Sequence, residues 1–405
     1  MANNGKSPRD AVILSGARTP IGKFLGALSP LTAAELGQVA FRAAIERSGV
    51  EPAHVNEVIV GNVVSAGVGQ ALPRQISLRA GLPDSVGGMT VNKVCGSGLK
   101  AVMIASSAIR AGDGDVYLAG GVESMSRAPY LNDNVRMGNK YGHVQLRDSL
   151  QTDGLWCSLC DWSMGQAAEF IGRELNVTRE EMDELALRSH QRAAEATDRG
   201  AFRREIAPVT IRNRKGEIIV ETDEPIRRDT TLEALARLPA AFEAGGKVTA
   251  GNAPGMNDGA AALVVTSREY ADRHNHQPLA RVVSYAHAAV DPAWIFYAPV
   301  KAIPLALERA GWSIDDVDLF EINEAFAAQV LADAKGLARE GYPIDMERVN
   351  VNGGAIALGH PLGASGARVL VTLIHALQER GLKRGLAALC LGGAEAVALT
   401  VELES

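Results

Sequence analysis

The sequence predicts an α/β protein built from two similar halves with a lobe inserted between them. Short apolar runs alternate with long helical patterns, the order expected when helices cover both faces of largely parallel sheets. A weak internal repeat relates two distant regions of the chain, and the segment between them is richer in charge and in polar turns. With 405 residues, the chain is long enough for two or three folded units with substantial cores.

Each predicted strand is a compact apolar run, and each predicted helix is a longer segment with apolar residues at helical spacing. We expect strands at 11–14, 57–60, 115–119, 261–266, 279–284, 319–322 and 387–391. We expect helices at 31–48, 98–111, 179–199, 300–310, 323–340 and 365–380. The apolar stretch 386–401 contains Gly392, Gly393 and Glu395 and is too short to cross a bilayer, so it is expected to form two strands around a turn.

Three pairs of similar segments occur in the same order in the two regions and indicate the internal repeat. AIERSG at 44–49 matches ALERAG at 306–311, and LAGG at 118–121 matches CLGG at 390–393. Between them, Cys95 and His360 each precede a glycine-rich helix start. We therefore expect a first half at residues 8–122 and 257–279, an inserted loop lobe at 123–256, and a second half at 280–405.

Composition and charge disfavour several classes of protein. The net charge is −6 and no lysine and arginine cluster stands out, so a nucleic-acid partner is not expected. No apolar run reaches the ~18 residues of a membrane span, and the polar N-terminus through Asp10 lacks the apolar region of a secretory signal. Four cysteines do not make a disulfide framework in a chain of this length, so a reducing, cytoplasmic location is expected.

Cys95 is the first candidate for chemistry, in the segment VNKVCGSGLKA at 91–101. A thiol at a strand end that faces the opening turn of a helix meets unpaired backbone N–H groups. Such a position lowers the pKa of a thiol and activates it as a nucleophile, and the same amides could hold an oxyanion. The alternatives are a small buried cysteine with a packing role, and a dinucleotide loop, for which Gly96-x-Gly98 lacks the third glycine.

His360 is the second candidate, in the segment NGGAIALGHPLGASG at 352–366. Pro361 keeps His360 out of helical geometry, and the surrounding glycines let the backbone approach a ligand closely. A structural histidine is the alternative. Because a loop so rich in glycine is entropically costly, the sequence favours a functional role.

Three further features each have two interpretations. Cys390 ends a strand, where a thiol either exchanges protons near neutral pH or packs in the core. Asn323 precedes a predicted helix, where it either caps the helix or orients a water or an oxyanion. Cys157 and Cys160 form a C-x-x-C pair without a second ligand pair for a metal, which leaves a redox pair open.

Taken together, these segments resemble the thiolases, the acetyl-CoA acyltransferases. The resemblance runs from residue 14 to the C-terminus. It is carried by LSGARTP at 14–20, NKVCGSG at 92–98, GGVESM at 120–125, GN at 251–252, NDG at 257–259, NEAF at 323–326 and the glycine-rich segment 352–366.

The resemblance implies a role for each candidate. Cys95 would be the acylated nucleophile, His360 the base that deprotonates it, and Cys390 the acid/base for the second substrate. The Asn323 amide, through a water, would pair with His360 as one oxyanion hole, and the backbone N–H groups of Cys95 and Gly392 would form the other. Residues implied in binding substrate and coenzyme A are Arg227 (stacked on the adenine), Met164, Ala325, Phe326 and Ile295.

The same resemblance implies two five-stranded halves in a layered α/β arrangement, with the inserted lobe holding coenzyme A. The implied reaction is the reversible Claisen condensation of two acetyl-CoA molecules, or thiolysis in reverse, through an acyl-enzyme. No metal or organic cofactor is implied, because coenzyme A thioesters are the substrates. Segment 134–142 resembles the family's tetramerisation loop, which implies a homotetramer or at least a homodimer.

Three other activities stay open beside this one. A 3-ketoacyl-CoA thiolase of fatty-acid β-oxidation would take longer chains. A ketoacyl synthase is disfavoured because it usually pairs a cysteine with two histidines, whereas Asn323 and Cys390 stand here. A protein that only binds acyl thioesters is supported solely by the altered turn at 394–396.

Departures from the family pattern are confined to a few positions. CLGGAEA at 390–396 stands where the pattern is Cys-x-Gly-Gly-Gly-x-Gly, and Ser163, Pro254 and Ala234 stand where a histidine and two serines are common. Ile295 is followed by bulky Phe296 and Tyr297 where the pattern is thinner, so we expect a pocket for short acyl chains.

Overall fold

The computed structural model describes residues 7–213 and 216–404. Residues 1–6, 214–215 and Ser405 therefore lie outside the described residues. Residues 1–6 belong to the N-terminal stretch on which the prediction of no secretory signal rests, and residues 214–215 belong to the inserted segment. The strands are β1 Ala11–Arg18, β2 Gly22–Lys23, β3 Glu57–Gly61, β4 Gly87–Val91, β5 Val116–Ser124, β6 Tyr130–Leu131, β7 Arg147–Asp148, β8 Trp156–Cys157, β9 Trp162–Ser163, β10 Val209–Asn213, β11 Gly216–Val220, β12 Asn257–Ser267, β13 Ala280–Ala289, β14 Leu319–Ile322, β15 Arg384–Leu391 and β16 Glu395–Leu403.

The helices are α1 Ala33–Ser48, α2 Leu72–Ala80, α3 Ser97–Ala111, α4 Met164–Glu174, α5 Arg179–Asp198, α6 Leu232–Ala236, α7 Arg268–Arg273, α8 Ala298–Ala310, α9 Ala327–Arg339, α10 Ala355–Leu358 and α11 Leu362–Arg380. Every predicted strand and helix exists, with shifted ends. The segment 386–401 forms two strands around a short turn, as predicted. The elements that were not predicted include α2, α4 and β4, and β4 (GGMTV) opens on two glycines that mask its strand character.

Ten strands of the described chain join in one sheet, in the order β14-β15-β16-β13-β1-β12-β5-β3-β4, with β2 attached to β12. The first half contributes β1, β12, β5, β3 and β4. The second half contributes β13, β16, β15 and β14, and an isolated parallel bridge from Phe320 to Val349 stands where a fifth strand would lie. The halves meet where β1 pairs with β13 through Val12 and Ile13.

The prediction of largely parallel pairing is wrong. Only the pairs β3·β4, β3·β5 and β14·β15 are parallel, whereas β12 and β16 run antiparallel to both of their long neighbours. The reason is the connection: β16 follows β15 after the short turn at 392–394, and a parallel crossover needs a dozen or more residues.

Helices and sheets alternate in layers around three large apolar cores. The central core joins α3 and α11 to the inner faces of both halves, through residues such as Leu99, Leu370, Leu263 and Leu399. The outer face of the first half packs on α1 and α2, and that of the second half packs on α8. Burial of these apolar side chains is the main stabilising term, at ~25 cal/mol per Å² of area removed from water.

The central helices approach closely because glycine replaces a side chain at their contact. A Cβ on Gly98 of α3 would lie 2.8 Å from the Ala367 nitrogen and 2.9 Å from the Gly363 oxygen of α11. No real Cβ tolerates those distances. The helix that follows Cys95 and the helix that follows His360 therefore pack backbone to backbone, which brings their N-terminal ends together.

The residues between β5 and β12 form the lobe, which contains α4, α5, α6 and three small hairpins. Its main helices carry their own start signals: capping boxes pair Ser163 with Gln166 in α4 and Thr178 with Glu181 in α5. Ser163 thus has a local structural role at the start of α4. Among the described helices, none is long and apolar enough to cross a membrane.

Candidate active site

A cavity of about 480 Å³ lies where the N-terminal ends of α3 and α11 meet the lobe. Its wall includes every predicted site residue except Asn323: Cys95, His360, Cys390, Gly392, Arg227, Met164, Ala325, Phe326 and Ile295. A larger groove of about 890 Å³ between α1 and the β10–β11 hairpin is lined mainly by polar and charged residues and contains none of them. The chemistry-bearing residues of both halves therefore converge on one mostly apolar cavity.

Cys95 stands at a sharp turn between β4 and α3. The residue before it, Val94, has φ 43°, a left-handed conformation that is strained for a β-branched side chain. Gly96 then caps α3, which begins at Ser97. The backbone N–H groups of Gly392 and of Cys95 itself act on the thiol in the direction that lowers its pKa. One of these amides comes from each half of the chain, and Gly392 lines the same cavity as Cys95.

The prediction of a lowered pKa for Cys95 is wrong. Desolvation in the cavity raises the pKa of the Cys95 thiol to about 12, and the nearby Glu123 carboxylate acts in the same direction. The two backbone N–H groups lower the pKa but do not outweigh these effects. The resting nucleophile is a neutral thiol, so its reaction needs a base.

His360 is held in one orientation by its Nδ1 atom. Nδ1 lies 2.6 Å from Ser365 Oγ, and that hydroxyl donates to the Pro361 carbonyl at 2.9 Å. Because the serine proton is used on Pro361, Ser365 accepts from Nδ1–H, and Nε2 keeps its free lone pair. Burial lowers the pKa of His360 to about 3, and the Arg368 guanidinium adds to the shift. The imidazole is therefore neutral and offers Nε2 as a base.

Buried polar side chains fix the loop that carries His360. Asn257 accepts from the His360 backbone N–H at 2.9 Å, and Glu324 accepts from Ile356 N–H at 3.1 Å. Gly359 has φ 104°, and a Cβ there would lie 2.6 Å from Asn257, so only glycine fits this step. The loop is thus defined by specific hydrogen bonds.

Glu123 joins the segment that follows β3 to the start of α11. It accepts hydrogen bonds from the backbone of Val63, Val64 and Gly363, at 2.8–3.1 Å. Desolvation raises the pKa of Glu123 to about 7 against these hydrogen bonds. No role was predicted for Glu123, Asn257 or Ser365 from the sequence. Their signal was their position inside glycine-rich motifs, where a polar side chain has backbone N–H groups to satisfy.

Asn323 does not cap a helix, which corrects the prediction of a helix at 323–340. The helix α9 begins at Ala327, with Phe326 as its cap. The Asn323 side chain is fully buried, with Nδ2 3.5 Å from His360 Nε2, and its Oδ1 has no hydrogen-bond partner among the described residues. Of the two interpretations, the geometry favours an amide directed at the base rather than a cap.

Cys390 and Gly392 come from the end of β15 and the turn that follows it. Burial raises the pKa of the Cys390 thiol well above its ordinary value, and proximity to Cys95 and Asp333 adds to the rise. Beyond Gly392, Ala394 adopts φ 61° and accepts from Val290 N–H at 2.9 Å. The departure from glycine at 394 is therefore accommodated in a left-handed turn without displacing Gly392 from Cys95.

Large apolar side chains form the rest of the cavity wall. Ile295 and Phe296 are buried in it, and Phe296 packs on Phe326 with ring centroids 5.5 Å apart. Tyr297 is different: its hydroxyl donates to Glu340 at 3.1 Å, outside the cavity. The expectation that Tyr297 narrows the pocket is wrong, because its ring leaves the wall to reach a hydrogen-bond partner.

Arg227 lies exposed at the rim, where its side chain donates weakly to the Ala250 carbonyl at 3.4 Å. Cys157 and Cys160 sit on the β8–β9 hairpin and are both free thiols. Among the described residues, no group of three or more His, Cys, Asp or Glu side chains is placed to hold a metal ion. The redox interpretation of this pair stays a prediction.

Comparison with known proteins agrees with this geometry. The family models for the thiolase N-terminal domain and the thiolase C-terminal domain match residues 11–269 and 276–403. An acetyl-CoA acetyltransferase of Cupriavidus necator is 50% identical over 394 residues, which is 97% of this chain and 99% of that protein. An acetyl-CoA acetyltransferase of Escherichia coli K12 is 50% identical over 395 residues, again 97% of this chain and 99% of that protein.

Solved structures agree as well. The crystal structure of the Bacillus anthracis acetyl-CoA acetyltransferase superposes with a TM-score of 0.95 at 45% identity, covering 98% of this chain and 99% of that one. The acetyl-CoA acetyltransferase of Syntrophomonas wolfei gives a TM-score of 0.96 at 42% identity, with the same coverage. With both halves matched by family models and half of the residues shared with relatives over nearly the whole chain, this protein belongs to the thiolase family of acyltransferases.

Proposed function

We propose that this thiolase is an acetyl-CoA C-acetyltransferase, which condenses two acetyl-CoA molecules to acetoacetyl-CoA and coenzyme A, or runs the reverse thiolysis. The observation that carries the proposal is the convergence of two thiols, an imidazole and two backbone donors on one apolar cavity. Its relatives of about half-identical sequence carry the name acetyl-CoA acetyltransferase.

The first half-reaction uses Cys95. His360 Nε2 takes the thiol proton, and the sulfur attacks the thioester carbonyl of acetyl-CoA. The carbonyl oxygen becomes an oxyanion, which the N–H groups of Cys95 and Gly392 stabilise, since both favour negative charge at this place. The carbon–sulfur bond to coenzyme A breaks, and His360 returns the proton to the departing thiolate.

The second half-reaction uses Cys390. His360 Nε2 takes the Cys390 thiol proton, and the thiolate removes a proton from the methyl carbon of a second acetyl-CoA. The carbanion attacks the acetyl carbonyl carbon on Cys95, the carbon–sulfur bond to Cys95 breaks, and the Cys95 thiolate takes its proton from His360. The enolate oxygen needs donors, which the Asn323 amide, through a water, and His360 supply. His360 donates from the Nε2 atom that took the Cys390 proton, while its Nδ1–H stays directed at Ser365 Oγ, 2.6 Å away.

The neutral resting states suit this sequence of steps. A thiol of raised pKa and an imidazole of lowered pKa hold no standing ion pair, so both charges form only when substrate is bound. A desolvated site also protects the acyl-enzyme from hydrolysis. The proposal needs no metal or organic cofactor, since acyl-CoA thioesters supply every reacting group.

The chain-length preference is proposed from the wall of the cavity. Ile295 and Phe296 are buried there and remove volume next to Phe326, which favours a short acyl group. The test is steady-state thiolysis of 3-ketoacyl-CoA substrates with four to eight carbons. Highest kcat/KM on the four-carbon substrate is expected. Higher kcat/KM on the eight-carbon substrate would instead assign a broad 3-ketoacyl-CoA thiolase, and no turnover of any would leave only a binding protein.

We propose a dimer through β4 and a tetramer through the loop near residue 137. β4 ends the sheet with β3 on one side, and the described residues place no strand on the other. An edge of this kind is a template for pairing with a second copy. The loop exposes Met137 by 85% and Tyr141 by 98%. Light scattering at micromolar concentration tests this: a tetrameric mass is expected, and a monomeric mass would contradict both interfaces.

We also propose a cytoplasmic location. Cys95, Cys157, Cys160 and Cys390 are all free thiols, and Cys95 must stay reduced to accept an acyl group. Cell fractionation tests the location, and recovery of the protein outside the cytoplasm would contradict it.

A further inference from the structure

An ion pair connects the two loops that supply the backbone donors to Cys95. Lys93 stands two residues before Cys95, and Glu395 stands three residues after Gly392. The Lys93 ammonium contacts the Glu395 carboxylate directly, although the residues are 302 positions apart in the chain. Their side chains are 23% and 34% exposed, and neither lines the cavity. We call this contact the Lys93–Glu395 clasp.

Backbone hydrogen bonds hold the turn that contains Gly392 to neighbouring strands of the second half. Leu391 pairs with Glu395 across the turn, Glu395 pairs with Ala289 of β13, and Val290 donates to the Ala394 carbonyl. All of these bonds hold the turn to the second half of the chain. Cys95 belongs to the first half, so they do not set the distance from the Gly392 N–H to the sulfur.

Glu395 adds a polar connection to the apolar packing of this turn on the nucleophile loop, where a Cβ on Gly392 would lie 2.9 Å from Val94 Cγ1. Its carboxylate contacts Lys93 of the nucleophile loop, and it partly offsets the lowering of the Lys100 pKa that burial and Lys93 cause. Lys93 itself is fixed by its backbone, since its N–H donates to Ser97 Oγ at 2.8 Å and its carbonyl accepts from Gly96 N–H at 3.1 Å. The carboxylate therefore pulls the Gly392 turn toward a rigid part of the nucleophile loop.

We propose that the Lys93–Glu395 clasp positions the Gly392 N–H over Cys95 and so sets the strength of the oxyanion hole. Lys93 and Glu395 are positioning residues that act through Gly392 without touching the substrate. The inference rests on the proposed acyltransferase function, because an oxyanion hole has a purpose only if Cys95 is acylated. Loss of one backbone donor costs ~10²–10³ in rate, and loosening one by removing a half-exposed ion pair costs less.

The test uses Glu395→Gln, Lys93→Gln and the charge exchange Lys93→Glu/Glu395→Lys. The matched control is Glu402→Gln, which removes a carboxylate of similar exposure from the far end of the same strand, where it pairs with Arg281 and Arg384. The first readout is the rate at which iodoacetamide alkylates Cys95, which needs no substrate. The second is kcat and KM for acetoacetyl-CoA thiolysis at low and high salt.

The clasp predicts that both single variants are alkylated about fivefold more slowly, because each one withdraws the Gly392 N–H from the thiolate. A purely Coulombic effect would move them in opposite directions: Lys93→Gln slower, and Glu395→Gln faster. We expect kcat to fall about fivefold with KM unchanged, the difference from wild type to shrink at 1 M salt, where screening is ~3 Å, and the charge exchange to restore most of kcat. Glu402→Gln should match wild type.

Opposite shifts in alkylation, or single variants that match Glu402→Gln, would overturn the clasp. If the wild-type protein neither condenses acetyl-CoA nor cleaves acetoacetyl-CoA, the proposed function fails, yet the alkylation rates still decide whether the clasp positions Gly392. The two failures are therefore distinguishable.

Discussion

The two halves of the molecule share a framework, and the differences that matter for chemistry lie where they meet the cavity. In the first half, β1 carries a bulge before Ser15, whose hydroxyl donates to the Ala44 carbonyl at 2.6 Å. In the second half, β13 carries a bulge before Ser284, whose hydroxyl donates to the Ala306 carbonyl at 2.6 Å. Both outer helices then end on a left-handed glycine. The same framework thus places two central helices, α3 and α11, in equivalent positions.

What differs is the residue at the start of each central helix. The first half presents Cys95 there, near the carboxylate of Glu123, and the second half presents His360, near the guanidinium of Arg368. The Glu123 carboxylate disfavours a thiolate at Cys95, and the Arg368 guanidinium disfavours an imidazolium at His360. Each of these charged side chains therefore favours the neutral form of the group beside it. The comparison teaches that duplication supplies the geometry, and that divergence of a few side chains supplies a nucleophile on one side and a base on the other.

The strongest way to break this division of labour is to remove the nucleophile. Cys95→Ala should lose at least ~10⁴-fold in kcat for thiolysis, because no other side chain in the cavity is placed to carry the acyl group. Mass spectrometry of protein incubated with acetyl-CoA should show no acyl adduct. Full thiolysis by this variant would contradict the assignment of the nucleophile to the first half.

The second half is tested by the other thiol. Cys390→Ala should lose ~10³-fold in condensation while still forming the acetyl-enzyme on Cys95, since its proton transfer belongs only to the second substrate. The measurement is acetyl-adduct formation beside steady-state condensation, with Cys157→Ala as a matched cysteine variant that should alter neither. Equal loss of the adduct and of turnover would show that the two thiols do not divide the steps.

The charge states of the two halves are tested by pH. With the pKa of Cys95 at about 12, the thiolate fraction rises with pH and does not level off below that value. With the pKa of His360 at about 3, no imidazolium forms near neutrality to hold a thiolate. Alkylation by iodoacetamide should therefore speed up about a hundredfold from pH 6.5 to 8.5. A plateau across this range would indicate a standing thiolate–imidazolium pair.

The sequence could predict the position of each element better than the interactions at its ends. The strands and long helices followed from apolar runs, and the repeat located the two equivalent helix starts. Four predictions failed for physical reasons that need the fold. The strands β12 and β16 pair antiparallel, the helix expected from Asn323 begins at Ala327, the Tyr297 ring lies outside the cavity, and burial raises the pKa of the Cys95 thiol. Burial is a property of the whole fold, so local spacing does not report it.

A smaller loss of activity is expected when the Ser365 hydroxyl beside His360 is removed. Ser365→Ala removes the acceptor that keeps the proton on His360 Nδ1, so the imidazole is free to take the other tautomer. We expect a fall of ~10-fold in kcat with KM little changed. Ser365→Thr keeps the hydroxyl and should retain more activity than the alanine variant. Equal activity of Ser365→Ala and wild type would show that the tautomer is fixed by other contacts.

The smallest effect is expected at the wall of the cavity, where neighbouring aromatic residues of the second half behave differently. Phe296 is buried in the wall against Phe326, whereas Tyr297 faces Glu340 outside it. Phe296→Ala should raise kcat/KM for an eight-carbon 3-ketoacyl-CoA relative to the four-carbon substrate, because the vacated volume admits about one more methylene, worth ~1 kcal/mol.

Tyr297→Ala is the matched control for that change. It deletes a neighbouring aromatic ring of nearly equal size, and it should leave the ratio of the two kcat/KM values unchanged because the ring does not line the cavity. The shift expected for Phe296→Ala is graded, about fivefold to tenfold, since an apolar pocket discriminates chain length only weakly. A matching shift in both variants would mean that loosening of α8, rather than the volume of Phe296, sets the chain-length preference.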